Sequence, residues 1–363
     1  MSYRTVVWGT GNVGQAALRT VISNPQLELA GVIVASPDKI GRDAGELCGA
    51  APIGVKASGD VAAVLGSGVD AVAYCASGDF RPDEALDDIE RCLRAGLNVV
   101  STSVYPLYDP KSAPDDVRSR FDAAAHEGGA SLFVSGIDPG FINHLLPLVL
   151  SGFCEEINEI RGIEIFNYST YDAPDAVRDL CGFGTPLDSP PPMVSPGVPS
   201  MVWGGTIRLV ARTLGVELDE IREVEERLPL VETVTVPVGT FEKGTQGALR
   251  FEVQGIVEGR PAIVVEHVTR IHDDAAPHWP RSADGRGAHG VRITGKPNIE
   301  LSIESEYPGG DRVSGGNATA AAHVVNALPD VCRAEPGLLD VTDLPLVIGR
   351  GLLRTPSWER RRL

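Results

Sequence analysis

The chain has 363 residues, 43% of them hydrophobic and 22% charged, with a formal net charge of −17. That length exceeds the usual limit of one hydrophobic core, so two domains are expected, and the composition is that of a folded globular protein. The negative charge opposes non-specific binding to nucleic acid or to an anionic membrane surface, because phosphate repels it.

The first third alternates short apolar runs with amphipathic segments, the pattern of a parallel sheet with covering helices. Strands are predicted at Thr5–Trp8, Leu27–Val34, Gly54–Ala57, Ala71–Cys75, Asn98–Thr102 and Ser131–Val134, with helices at Asn12–Ser23, Asp60–Leu65, Asp83–Ala95 and Pro114–Glu127. From about residue 150 the rhythm becomes that of half-buried strands: Glu159–Tyr168, Leu230–Val238, Ala248–Val257, Ala262–His272, Gly290–Thr294 and Ile299–Glu306. The Pro-rich stretch Pro186–Pro199 excludes helix and central strand, so it is predicted as an irregular loop before a helix at Met201–Leu214. Ala275–Ala288 is a second irregular loop. A small-residue helix, Ala318–Leu328, follows Gly315 and Gly316. The expected fold is α/β. A Rossmann-type doubly wound domain occupies residues 1–147, completed by a helix near 316–330 and the C-terminal segment. A substrate and dimerisation domain on a mostly antiparallel open sheet occupies 148–315.

The six cysteines are scattered without a C-x-x-C pair, which argues against structural zinc and against a disulfide framework. No apolar run approaches the ~18 residues of a membrane span. The first strand begins within a few residues of Met1, leaving no room for a signal peptide. A soluble protein in the reduced cytoplasm is expected.

The strongest motif is Gly9-Thr10-Gly11-Asn12-Val13-Gly14, a G-x-G-x-x-G between a predicted strand and a predicted helix. Gly9 permits the tight turn, Gly11 the approach of a pyrophosphate to the backbone, and Gly14 the close packing of helix on strand. The phosphates would rest on N–H groups at the helix start. The second strand ends at Val34-Ala35-Ser36 without the acid that an NAD-preferring site places against the ribose 2′-hydroxyl. Ser36 and Lys39 can accept a 2′-phosphate instead, so NADP is expected ahead of NAD; the alternative is that Ser36 only begins a turn. Ligands of doubly wound sheets bind outside the carboxyl ends of the strands. Cys75, Ala76 and Ser77, then Ser101 and Thr102, then Asp138, Pro139 and Gly140 are therefore expected to meet the cofactor.

Together with S-P-D-K-I-G-R-D-A-G at 36–45, S-G-I-D-P-G-F at 135–141, N-A-L-P at 326–329 and E-P-G-L at 335–338, this motif resembles the dihydrodipicolinate-reductase-like oxidoreductases. Within that group the likeness is to relatives of 2,4-diaminopentanoate dehydrogenase and the native amine dehydrogenases, and it spans nearly the whole chain. It implies a Rossmann domain, a second domain on an open sheet, a homodimer, and NAD(P)-linked amine oxidation or reductive amination. The His-His pair and K-x-D-A-P-S-G-T segment of true dihydrodipicolinate reductases are missing. So is the acid that the amine-dehydrogenase relatives carry just after the fifth strand, where this chain has Ser103-Val104-Tyr105-Pro106-Leu107-Tyr108.

Hydride transfer needs a proton donor or acceptor within hydrogen-bond reach of the substrate heteroatom. Tyr105 is the replacement for the missing acid, or else an aromatic wall. Asp138 contacts the nicotinamide carboxamide or a substrate ammonium, or else forms a turn. His144, one turn into the following helix, is a catalyst or a packed residue. Tyr108, Phe141, Tyr168, Tyr171 and Trp203 are expected to line the substrate. His267 and His272, at odd spacing in one predicted strand, point to opposite faces, so no metal site is expected. Cys154 carries no mark of a lowered pKa. An alcohol/ketone oxidoreductase using Tyr105, or a non-catalytic dinucleotide-binding protein, are the alternatives to amine chemistry.

Overall fold

The computed structural model describes residues 2–308 and 312–353; the C-terminal segment of the sequence reading therefore lies outside the described residues from 354 onward. In chain order the strands are β1 (Tyr3–Trp8), β2 (Leu27–Ile33), β3 (Ala57–Ser58), β4 (Ala71–Tyr74), β5 (Asn98–Ser101), β6 (Ser131–Val134), β7 (Glu156–Asn167), β8 (Glu220–Pro229), β9 (Val234–Val236), β10 (Gly239–Phe241), β11 (Gln246–Val257), β12 (Arg260–Arg270), β13 (Gly287–Lys296), β14 (Ile299–Ile303) and β15 (Gly337–Leu339). The α-helices are α1 (Asn12–Ser23), α2 (Ala44–Leu47), α3 (Val61–Leu65), α4 (Pro82–Arg94), α5 (Asp115–Gly128), α6 (Leu145–Ser151), α7 (Val198–Leu214) and α8 (Arg312–Val331).

The chain divides into two compact units. The first, Met1–Val104 with Asp115–Gly136 and Ala320–Leu363, holds a seven-stranded parallel sheet in the order β15-β6-β5-β4-β1-β2-β3. Its central strands are buried along their length: Val6, Val7, Val72, Ala73, Val99 and Val100 are fully inaccessible. This is why they read as continuous apolar runs.

The second unit, Tyr105–Pro114 with Ile137–Thr319, holds a six-stranded sheet in the order β14-β13-β7-β12-β11-β8 and a β9–β10 hairpin. The sheet is mixed: β7 and β12 run parallel, and the other pairs are antiparallel. Helix α7 covers one face, where Trp203 packs on Phe251 of β11 and His267 of β12. The opposite face carries an ion-pair lattice, with Arg161 2.7 Å from Glu252 and 2.8 Å from Glu266, and Arg250 2.7 Å from Glu266.

Three sequence expectations change here. The strand expected over Leu230–Val238 shrinks to β9, and the longer strand next to it is β8. Its Glu220, Arg222, Glu223, Glu225, Glu226 and Arg227 hide the apolar alternation, as befits a charged edge strand. Pro199 lies inside α7, in the first turn, where the missing N–H costs no hydrogen bond. His272 falls beyond the end of β12, capping a short turn, so its geometry relative to His267 is not that of one strand.

Candidate functional site

In the first unit the glycine motif forms a turn between β1 and α1. Gly9 has φ 98°, and a Cβ there would stand 2.7 Å from the Ala76 nitrogen and 2.8 Å from the Cys75 carbonyl carbon. A Cβ on Gly14 would stand 2.1 Å from the Gly9 oxygen. Both glycines are therefore required by the fold itself. Gly11 differs: a Cβ there would meet nothing within 4 Å, and no side-chain cap closes the N-terminus of α1 that begins beyond it. An open, side-chain-free helix N-terminus is a cradle for a pyrophosphate, so the residues present fit a dinucleotide. Asn12 is exposed and Val13 half-buried beside it.

Lys39 donates from Nζ to the Thr10 carbonyl at 3.1 Å, which brings the basic group after β2 to the glycine turn. Ser36 is exposed, ahead of a short 3-10 turn, and no acid stands near it in sequence before Asp38. The ends of β4 and β5 are also drawn together. Ser103 donates from Oγ to the Ala76 carbonyl at 2.5 Å, and a Cβ on Gly78 would lie 2.1 Å from the Ser103 oxygen. Ser101 is buried and Thr102 half-buried at the same strand end, and Ser77 is exposed. Burial pushes the Cys75 thiol up to about 12, so it is no nucleophile.

The second unit holds a group that the sequence reading did not assemble. Glu164 of β7 is in register with His267 of β12 on one side and His289 of β13 on the other, so all three point to one face. Asp138, on the loop after β6, reaches the same place. His267 Nε2 lies 3.1 Å from Asp138 Oδ2, and His267 Nδ1 lies 3.6 Å from Glu164 Oε1. Glu164 Oε2 is 3.0 Å from His289 Nε2. Trp203 donates from Nε1 to Asp138 Oδ1 at 2.6 Å. The His267 ring is stacked on Phe251 at 4.8 Å and meets the Trp203 edge at 4.8 Å.

Burial alone would disfavour a charged His267 ring. The neighbouring Asp138 and Glu164 carboxylates outweigh it and raise the ring to about 9. Burial likewise works against an ionised Asp138, but His267 and the Trp203 hydrogen bond hold its carboxyl below the ordinary range. Among the described residues, Asp138, Glu164 and His267 bring ligand-type atoms within 4.8 Å of one another. The two acids, however, face different nitrogens of one imidazole. One imidazole thus stands between two carboxylates.

The other sequence candidates are placed as follows. Tyr105 and Tyr108 lie in one 3-10 turn of the second unit with their rings stacked at 6.2 Å; Tyr105 is half-buried and Tyr108 buried. His144 is the N-cap of α6 rather than a residue one turn inside it, and its Nδ1 accepts from the Leu145 N–H at 2.6 Å. Trp203 is 4% exposed and belongs to the core, so its expected place along a substrate gives way to a packing role against Phe251 and His267. Tyr168 and Tyr171 meet edge to face at 5.2 Å, and Tyr168 meets Phe183 at 6.3 Å. Phe141 is half-buried at the turn through cis-Pro139 and Gly140, whose N–H donates to Asn143 Oδ1 at 3.1 Å. Glu164, His267 and His289 were the omissions. Their signal was a charged or titratable residue on the inward face of strands that are otherwise apolar there.

A Rossmann sheet with an open glycine cradle, in a chain that also carries buried acid–base groups, defines a nicotinamide-dinucleotide-linked oxidoreductase. Residues 141–353 match the 2,4-diaminopentanoate dehydrogenase C-terminal domain, and residues 3–103 match the dihydrodipicolinate reductase N-terminus. An amine dehydrogenase of Streptomyces virginiae is 56% identical over 351 residues, covering 95% of this chain and 98% of the relative. A 2,4-diaminopentanoate dehydrogenase of Acetoanaerobium sticklandii is 25% identical, covering 94% and 93%. Among solved structures, an amine dehydrogenase from Mycobacterium smegmatis shares the fold with a TM-score of 0.75 at 21% identity, covering 96% of this chain and 97% of that one. The chain belongs to the family of the amine dehydrogenases and 2,4-diaminopentanoate dehydrogenases, and it is an NAD(P)-dependent oxidoreductase. Among the described residues no helix is long and apolar enough to cross a membrane, and all six cysteines are free.

Proposed function

We propose that this enzyme interconverts a primary amine with the corresponding carbonyl compound and ammonia, using NADP(H) in preference to NAD(H). The observation that carries the reading is the buried group in the second unit, where two carboxylates, Asp138 and Glu164, lie against the imidazoles of His267 and His289. Buried carboxylates favour a cationic ligand, and a substrate ammonium or iminium is one. A neutral alcohol is not. The 56% identity to a protein named amine dehydrogenase supports the same chemistry.

In this reading Gly9, Thr10, Gly11, Asn12, Val13 and Gly14 cradle the pyrophosphate. Ser36 and Lys39 receive the 2′-phosphate. Cys75, Ala76, Ser77, Ser101 and Thr102, with the main chain of Asp138, Pro139 and Gly140, border the remainder of the cofactor. The bound cofactor supplies the hydride acceptor or donor, and the chain holds the substrate and handles its protons. We place the enzyme in the cytoplasm as a homodimer, in keeping with its free thiols and its family; sedimentation velocity reads the assembly.

The test is NADPH and NADH oxidation against a panel of aldehydes and ketones, with and without ammonium. The proposal expects turnover that requires ammonium and is faster with NADPH. Ammonium-independent turnover would move the chemistry to carbonyl reduction. For cofactor choice, calorimetry on Lys39→Ala is expected to show about tenfold weaker NADPH binding, roughly one charge-assisted contact, with NADH unchanged. An equal loss for both would refute the assignment of Lys39 to the 2′-phosphate.

A further inference from the structure

We propose that Glu164 is the residue that takes the proton from the substrate amine, replacing the acid missing after β5, and that His267 and Asp138 position it. This rests on the amine reading above.

The two acids of the buried group are not equivalent. The Asp138 side chain is 0% exposed; Oδ1 accepts from the Trp203 indole, and Oδ2 is enclosed 3.1 Å from His267 Nε2 as an ion pair without an aligned hydrogen bond. Nothing can reach it without breaking that arrangement. The Glu164 side chain is 12% exposed. Its Oε2 is held by His289 at 3.0 Å, whereas Oε1 has only long neighbours, Tyr168 Oη at 3.4 Å and His267 Nδ1 at 3.6 Å. Glu164 therefore has one oxygen fixed and one under-used, which is the state of a carboxylate prepared to accept a proton from a ligand.

The surroundings fit an amine with a hydrocarbon substituent. Beside Oε1 stands Tyr168, whose ring in turn meets Tyr171 and Phe183 edge to face. Burial and the nearby Glu164 push the Tyr168 phenol well above its ordinary value, so it remains an O–H group and does not compete as base. Ring faces and a carboxylate together suit an ammonium group carried on an apolar body.

The step balances as follows. One N–H bond of the substrate ammonium breaks, and its proton passes to Glu164 Oε1. The freed nitrogen pair forms C=N as the C–H pair leaves as hydride to the oxidised nicotinamide, giving an iminium. Water then converts the iminium to carbonyl and ammonium. The proton left on Glu164 is the one released in the overall oxidation.

Asp138 acts through His267. It keeps the ring charged, and the ring beside Glu164 holds that carboxylate in place on the Tyr168 side. The groups facing this centre are Asp138 from the loop after β6, Glu164 and Tyr168 from β7 and its end, His289 from β13, and Cys181, while Glu266 of β12 acts on it only by charge from the opposite face of the sheet.

The experiment is steady-state oxidation of a primary alkylamine by the NADP-loaded full chain as a function of pH, for wild type, Glu164→Gln, Glu164→Asp and His267→Gln. Glu164→Gln is expected to lose at least about a hundredfold in kcat, with NADPH affinity within about twofold, and to lose the acid limb of the kcat/KM profile. Glu164→Asp, with the carboxylate drawn back, should recover part of the rate. His267→Gln should shift the acid limb rather than abolish it. Glu164→Gln turnover within about threefold of wild type, with the same profile, overturns the role of Glu164 and leaves amine chemistry intact. Failure of wild type to oxidise the amine, together with reduction of the matching carbonyl compound that needs no ammonium, refutes the amine reading instead. Should Glu164→Gln lose the cooperative melt of the wild type, Glu164→Asp decides. Full activity with an unshifted profile in that variant also overturns the proposal.

Discussion

The two sheets of this enzyme meet their polar obligations by opposite means. In the first unit the centres of the strands are apolar, and the chemistry is left to the main chain: a turn at positive φ, a helix end without a side-chain cap, and a glycine facing open space. In the second unit the main chain is ordinary ladder, and the chemistry comes from side chains that three neighbouring strands and one loop aim at a single point. A main-chain site is fixed by what is omitted, since any Cβ would fill it. A side-chain site is fixed by mutual compensation, since each charged member is tolerable only while its partners are present.

That contrast can be broken by experiment. The largest expected effect is in the second unit. Asp138→Ala leaves a buried imidazolium short of its closest partner and should cost about 3–5 kcal/mol in urea unfolding. An Asp138→Ala/His267→Phe double variant, compared with each single variant, should recover part of that loss, because the Asp138–His267 pair is then removed whole while His289 still partners Glu164. If the two losses simply add, the compensation account fails.

Next comes pH. The folded pKa of His267, about 9, lies above its ordinary 6.5, so the contribution of the pair is complete below pH 6.5 and fades as pH rises towards 9. The difference is worth on the order of 3 kcal/mol. On the acid side, the depressed carboxyl of Asp138 gives stability that is present above its ordinary 3.8 and is lost as pH falls below it. Melting temperature should therefore decline from pH 6.5 to 9, and that decline should flatten in His267→Gln. An unchanged slope in the variant would assign the decline to other groups.

The smaller effects are in the first unit and separate fold from ligand. Gly14→Ala forces a methyl against the Gly9 carbonyl and should cost about 2–3 kcal/mol of stability. Gly11→Ala, with open space and φ −72°, should change stability by less than about 0.5 kcal/mol. It should still weaken NADPH binding about tenfold, since the methyl intrudes where a pyrophosphate would lie. Equal effects of the two on stability would contradict the distinction drawn between them.

The same contrast explains what could be read from the sequence. Helix α1 matches its expected span from Asn12 to Ser23, and β6 matches from Ser131 to Val134, because local pattern and tertiary burial agree there. The glycine spacing is local as well. The buried charge group is not: Asp138, Glu164, His267 and His289 are brought together by the register of β7, β12 and β13, which no local window contains. Asp138 was visible through its turn, and His267 only as half of a pairing with His272 that the end of β12 dissolves. Strand β8 escaped because its charges obey the demands of a sheet edge rather than those of a core.

The placement of β15 bears on how the protein is made. It pairs with β6, so the edge of the first sheet is completed only by residues 337–339. On the ribosome, β6 must wait with an unpaired edge while some two hundred intervening residues are synthesised and the second sheet takes shape, at about 5–20 residues per second. For that interval of tens of seconds the nascent chain carries an exposed strand edge ready to pair wrongly, and a premature stop before Gly337 would leave it permanently open.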